Sequence, residues 1–180
     1  MTAAIRHHRR AAVTFVALFL FVVAGCSTGD GLGAPGDALE ANAKVNRVVD
    51  GDTLVVEIDG TEERLRLIGI NTPESVDPRR PVMCFGKEAS AHLAELVPPG
   101  TAVRIERDVE ARDRYDRLLG YVYRAADGEF VNLRMVTDGY ANQYTFPPNV
   151  EHVDTFRAAA RTARESGTGL WSACPKPFEE

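Results

Sequence analysis

Histidine, cysteine and tryptophan are scarce in this 180-residue chain, with four His, three Cys and one Trp, and aromatic residues make up only 8%. His7 and His8 stand near the start, which leaves His92 and His152 for the rest. Ligands so few, and without metal-ligand spacing, argue against a zinc site. The same shortage argues against a Ser-His-Asp or Cys-His nucleophile. An excess of basic charge is also missing: 21 Lys and Arg face 26 Asp and Glu, for a formal net charge of −5. A chain of that sign does not coat polyanions indiscriminately, so contact with nucleic acid must rest on a local basic cluster or a bound cation. Nor is there an apolar run of the ~20 residues that a membrane-spanning helix needs. The longest candidate, residues 11–24, is interrupted by Thr14. No internal repeat is present.

Behind a basic head of Arg6, Arg9 and Arg10, that apolar run has the length of a signal peptide. It ends in Val23-Ala24-Gly25-Cys26, which resembles a bacterial lipoprotein box. On that resemblance residues 1–25 are a cleaved leader and Cys26 becomes a lipidated N-terminus. The plainer alternative is a secretory signal followed by a chance cysteine. Loss of the leader leaves 18 Lys and Arg against 26 Asp and Glu, a formal charge of −8. Cys84 and Cys174 then remain as a pair in an oxidising setting, where a disulfide is the default. Residues 26–43 hold Gly29, Gly31, Gly33, Pro35 and Gly36 and read as the lipidated cysteine and a flexible tether. The expected location is therefore outside the cytoplasm, lipid-anchored to the outer face of the cell membrane, with later shedding left open.

A folded domain is expected over residues 44–174, with a short tail at 175–180. Residues 44–49, 53–58 and 64–70 are Val-, Ile- and Leu-rich and bounded by turn residues, and read as three strands. Asp59-Gly60 between the second and third is a two-residue hairpin signal. In the third strand Leu65 and Leu67 alternate with Arg64 and Arg66, which puts the two arginines on the opposite face. Helical spacing of Ala89, Leu93, Leu96 and Val97 predicts a helix over 86–97, stopped by Pro98-Pro99-Gly100. Residues 102–106 and 118–123 read as further strands joined through the charged turn Arg112–Arg117. A short helix is expected over 131–137. A last helix carries Val153, Phe156, Ala160 and Ala163 on its apolar face, with Trp171 packing beyond. Strands first and helices after suggest an α+β arrangement, a small barrel with attached helices.

The hairpin returns the chain on itself, so the Asp50-Gly51-Asp52-Thr53 end can meet the Asn71-Thr72-Pro73-Glu74 end. Hard cations such as Ca2+ take carboxylate, amide and carbonyl oxygens, which Asp52, Asn71 and a backbone carbonyl near Thr72 can offer. Asp-Gly alone is common turn chemistry. Phosphodiester cleavage needs charge stabilised on phosphoryl oxygens and a positioned water. Arg66 and Arg117 are candidates for the first, since the guanidinium fork matches phosphate, and Glu74 for the second. Tyr115 and Tyr144 can stack on a nucleotide, although burial is the commoner fate of a tyrosine. Arg79, Arg80, Arg112, Arg114 and Arg117 form the local basic cluster, with Asp113 and Asp116 as plain partners for Arg112 and Arg114. Residue types and spacing lead as far as a cation-assisted phosphate site.

In order along the chain stand Val49-Asp50-Gly51-Asp52-Thr53, Arg66-Leu67 running into Asn71-Thr72-Pro73-Glu74, Gly86-Lys87-Glu88-Ala89-Ser90, Asp113-Arg114-Tyr115-Asp116-Arg117, Val131-Asn132 and Gly169-Leu170-Trp171-Ser172. This succession resembles the staphylococcal nuclease (thermonuclease) family. The resemblance implies a five-stranded OB-fold β-barrel with three α-helices, and a Ca2+-dependent nuclease acting on DNA and RNA that leaves 3′-phosphate ends. It implies Asp52 and the Thr72 carbonyl as metal ligands, with Asn71 in place of a second metal-binding aspartate. Glu74 matches the residue usually assigned as general base, and Arg66 and Arg117 match the two transition-state arginines. Arg114, Tyr115 and Tyr144 fall where substrate contacts are expected. Asp116 stands where Gly is common and is expected to compete for Arg117, and Phe146 replaces a second loop tyrosine. Cys84 and Cys174 are additions. No obligate protein partner is expected. Two rivals remain: a nuclease-like domain that binds nucleic acid or a partner without turnover, and a structural envelope lipoprotein on the same barrel.

Overall fold

The computed structural model describes residues 38–79 and 81–178. The expected leader, Cys26, most of the tether and Arg80 lie outside them. Five strands, β1 (Ala43–Asp50), β2 (Thr53–Ile58), β3 (Thr61–Leu67), β5 (Ala102–Glu106) and β6 (Leu118–Arg124), close into a barrel in the order β1-β2-β3-β6-β5. All neighbours are antiparallel except β3 and β6, which run parallel with Leu65 opposite Leu118. Asp59 and Gly60, at φ 50° and 77°, make the tight turn between β2 and β3, and Ile58 pairs with Thr61 beside it. Two successive positive φ values suit the Asp-Gly pair and match the twist of the flanking strands.

Alternation along the strands fills the barrel. Val45, Leu54, Val56, Leu65, Leu67, Val103 and Val122 are fully buried, whereas Arg66 between two buried leucines faces out of the core. At about 25 cal/mol per Å² of apolar surface, this alternation fixes strand register, because a one-residue slip would expose the whole set. The chain joins the barrel ahead of residue 44: Leu39 N–H donates to Ala125 O at 2.8 Å and Asn42 bonds both backbone groups of Ile105. The end of the expected tether is thus tied down.

The third strand departs from expectation. It stops at Leu67, and Gly69–Asn71 becomes a separate strand, β4, paired with β7 (Asn142–Tyr144), a strand not expected between the short helix and the last one. Gly69 sits at φ 80°, and a Cβ there would lie 2.3 Å from the Phe156 ring. The buried Asn132 side chain pins the break, donating to Ile68 O at 2.9 Å and accepting from Val122 N–H at 2.9 Å. β4 therefore leaves the barrel and carries Asn71 toward the β1–β2 turn.

Four helices occur among the described residues rather than three: α1 (Gly86–Leu96), α2 (Val131–Thr137), α3 (Val153–Glu165) and α4 (Leu170–Ala173). The fourth is a single turn holding Trp171, over whose ring the Arg164 guanidinium lies at 4.5 Å. α1 buries Ala89 and Leu93 against the barrel. Cys84 and Cys174 form a disulfide across 90 positions, joining the approach to α1 to the end of α4.

Candidate active site

Gly51 and Asp52 are the two residues that turn β1 into β2, next to the Asp50–Thr53 pair. A Cβ on Gly51 would meet Thr72 Oγ1 at 2.8 Å and Ala89 Cβ at 2.9 Å, so this turn is pressed against both the Thr72 segment and α1. Asp52 is only 7% exposed. Its Oδ2 accepts from Thr72 N–H and Thr72 Oγ1, each at 3.2 Å, and pairs with Arg66 Nη2 at 2.9 Å. Arg66 in turn donates to Ile70 O at 3.0 Å, to Asn71 Oδ1 at 3.3 Å and to Leu67 O. The two ends of the hairpin do meet, and Arg66 ties them together.

Asp50 lies beside them and is also buried. Its Oδ1 accepts from Gly51 N–H at 2.8 Å, Ser75 Oγ at 2.6 Å and Ser90 Oγ at 3.2 Å. Burial pushes this carboxyl above the ordinary 3.8, outweighing those hydrogen bonds. Glu74 goes the other way. Burial opposes its ionisation, but N–H groups of the following loop win and hold it below 4.5. Val76 N–H donates to Glu74 Oε1 at 2.7 Å and Asp77 N–H at 3.0 Å. Glu74 is therefore an anion with its charge fixed in direction by backbone.

Arg117 enters from the β5–β6 connection. Asp113 holds it twice over, with Arg117 Nε donating to Oδ2 at 2.8 Å and Nη2 at 2.7 Å. Asp113 Oδ1 also accepts from the backbone of Tyr115 at 2.9 Å and Arg117 at 3.0 Å, which shapes the turn. Although burial pushes the Asp113 carboxyl up, these contacts hold it below 3.8. The expectation that Asp116 would dull Arg117 is corrected. Asp116 sits at φ 63°, the left-handed region where glycine is favoured and Asp is tolerated, and its carboxylate lies 3.5 Å from Arg112 instead. Arg112 itself grips Glu63 on β3 with both nitrogens, at 2.7 and 3.1 Å. It therefore anchors the turn to the barrel.

Two clefts meet at Arg66 and Arg117. The first, of about 350 Å³, is lined by Asp50, Asp52, Asn71, Thr72, Glu74 and both arginines. The second, of about 470 Å³, holds Tyr115, Tyr144, Phe146, Arg114 and the same two arginines. Tyr115, Tyr144 and Phe146 are each more than half exposed, so their rings are free to be covered by a flat ligand. Arg114 lies over the Tyr115 ring at 4.7 Å and donates to its hydroxyl at 2.6 Å. The nine residues expected to be catalytic, metal-binding or substrate-binding thus each line one cleft or both, whereas Cys84, Cys174, Arg79 and Arg112 line neither. Cys26, the expected lipidation residue, lies outside the described residues.

The acid cleft offers oxygen donors of the hard-cation kind, a carboxylate on Asp52, the Asn71 amide oxygen and the Thr72 carbonyl, which fits Ca2+ by chemistry. Among the described residues no group of three or more His, Cys, Asp or Glu is gathered for a metal, so such an ion would lean on amide, carbonyl and water oxygens. Sequence reasoning missed the supporting layer. Neither Asp113 as the holder of Arg117, in a turn where the i,i+4 rule of helices does not apply, nor Ser75 and Ser90 on Asp50 had a signal in the sequence.

A closed OB-type barrel with two arginine forks between an acidic cleft and an aromatic one defines a class, the barrel nucleases. Comparison with known proteins agrees. The family described as Staphylococcal nuclease homologue matches residues 64–173. Thermonuclease from Staphylococcus hyicus is 37% identical over 136 residues, covering 76% of this chain and 79% of that protein. Thermonuclease from Staphylococcus intermedius is 37% identical over 127 residues, 71% of this chain and 74% of that one. Endonuclease YncB from Bacillus subtilis (strain 168) is 35% identical over 133 residues, 73% of this chain and 62% of that one. The chain belongs to the staphylococcal nuclease homologue family, and its enzyme class is that of a nuclease.

Proposed function

We propose that this nuclease is a Ca2+-dependent phosphodiesterase that hydrolyses DNA and RNA to 3′-phosphate ends while tethered outside the cytoplasm by a lipid on Cys26. The meeting of an acidic and an aromatic cleft at Arg66 and Arg117 carries the reading. A nucleotide lying on Tyr115 and Tyr144 puts its phosphate between the two forks, where charge on the phosphoryl oxygens is met by bidentate donors. Glu74, ionised and aimed by the N–H groups of Val76 and Asp77, orients a water toward phosphorus and accepts its proton. Water oxygen bonds to phosphorus, the P–O5′ bond breaks, and the departing 5′-oxygen takes up a proton. Ca2+ held by Asp52, Asn71 and the Thr72 carbonyl would neutralise phosphate charge.

The test is direct. The oxidised protein is incubated with single- and double-stranded DNA and with RNA, in Ca2+ or in chelator, and the product ends are mapped. Cleavage confined to Ca2+ with 3′-phosphate ends is expected. Cleavage that survives chelation, or none at any Ca2+ level, refutes the proposal. Globomycin-sensitive processing and membrane fractionation of the expressed precursor test the anchor.

A further inference from the structure

Arg64 stands apart from the other arginines of the site. It lies on the same face of β3 as Arg66, two residues earlier and about 6.6 Å along the strand. It lines the acid cleft together with Arg66 and Arg117 but takes no part in the aromatic one. Each neighbouring guanidinium has a partner: Arg66 has Asp52 at 2.9 Å, Arg117 has Asp113 at 2.7 Å, Arg112 has Glu63 at 2.7 Å and Arg114 has the Tyr115 hydroxyl at 2.6 Å. Among the described residues the Arg64 guanidinium has neither ion pair nor hydrogen bond. Across the sheet the register runs Arg47, Val55, Arg64, so a second exposed arginine without an ion pair lies on the same face two strands away. Asp77 on the rim of the cleft is already paired with Arg79 at 2.8 Å.

In an acidic chain an exposed, uncommitted arginine row leading away from two phosphate-binding forks has a specific use. We infer that Arg64, continued by Arg47, binds the backbone phosphate next to the scissile one, on the side away from the aromatic cleft. The step from Arg66 to Arg64 is on the scale of the step between successive phosphates in an extended strand. The ligand is accordingly a polynucleotide segment with at least two phosphates, and the aromatic cleft holds the nucleotide on the other side. The inference rests on the proposed hydrolytic site and extends it.

Binding is measured by fluorescence anisotropy of a labelled thymidine octanucleotide, in Ca2+, on a Glu74→Gln background so that the strand is held without being cut. Adding Arg64→Gln is expected to weaken octanucleotide binding roughly 5-fold and to reduce the slope of log affinity against log salt by about 0.7. Thymidine monophosphate, which has no second phosphate, is expected to compete equally well with both proteins. Arg64→Lys keeps the charge and should restore the slope. An unchanged slope and affinity in Arg64→Gln overturns the inference, as does an equal loss for monophosphate and octanucleotide. Cleavage by the protein with Glu74 and Arg64 intact is scored separately. No cleavage beside a persisting slope difference refutes the hydrolytic reading and leaves the Arg64 contact standing.

Discussion

Removing the Cys84–Cys174 bridge is the sharpest test of how this domain is held together. The bridge spans 90 positions, and in the chain-entropy account a loop of that length contributes about 4 to 5 kcal/mol at 25 °C. Residual structure in the unfolded chain lowers that figure. For an ordered region of about 140 residues, each kcal/mol moves Tm by roughly 3 to 5 °C, so Cys84→Ser/Cys174→Ser should melt on the order of 15 °C lower. Circular dichroism melts of the oxidised, reduced and double-Ser proteins measure it, and the last two should agree. The site gives the experiment a second arm. Cys84 follows Met83, whose N–H donates to Glu74 O at 2.9 Å and whose sulfur accepts from Glu74 N–H at 3.4 Å. The Glu74 carboxylate itself is held by Val76 and Asp77, on its own loop. Turnover at 25 °C should therefore survive loss of the bridge while Tm falls. A double-Ser protein melting within about 3 °C of the oxidised one would refute the entropic argument. A folded double-Ser protein without turnover would refute the independence of Glu74.

Three further outcomes are expected. Glu74→Gln should lower kcat roughly 10²- to 10⁴-fold, and Arg117→Ala roughly 10²- to 10³-fold, with melting curves close to the parent; wild-type turnover in either removes that residue from the mechanism. Asn71→Asp restores a negative charge beside Asp52 and should lower the Ca2+ needed for half-maximal activity by about tenfold. An unchanged Ca2+ titration would mean that Asn71 is not a ligand. Because the folded pKa of Asp113 lies below its unfolded 3.8, the unfolded chain binds more protons as pH falls. The stability of its pairing with Arg117 is present above about 3.8 and lost as pH drops through the folded value. Tm should therefore fall less steeply between pH 5 and pH 3 in Asp113→Asn, and parallel curves would contradict the pairing.

Much of the barrel was legible because local chemistry and burial agree along it. Asp59-Gly60 dictates a two-residue turn, and the Leu65–Leu67 alternation dictates which face Arg66 takes. The break at Ile68 was not legible. It depends on Asn132, 64 positions away, reaching Ile68 O, and on Phe156 packing where a Cβ at Gly69 would go. Within residues 64–70 only Gly69 marks the place, and a lone glycine among apolar residues does not by itself end a strand, so the segment reads as continuous.

The same distinction decides the electrostatics of the site. From the sequence, Asp113 and Asp116 are equivalent neighbours of three arginines, and proximity made Asp116 the natural competitor for Arg117. The fold separates them in two ways, one non-local and one in the backbone of the turn itself. Parallel pairing of β3 with β6 brings Glu63 beside Arg112, 49 positions away, and the Arg112 fork closes on it and on the backbone of Asp116. The left-handed backbone at Asp116 then leaves its side chain 87% exposed, where a carboxylate has little hold on a cation through water. Asp113, with a side chain only 18% exposed, takes Arg117 instead and orients it from behind while the fork still lines both clefts. An aspartate at the common glycine position is thus compatible with a working site. What it changes is the charge on the rim of the turn, and not the partner of the arginine proposed to face phosphate.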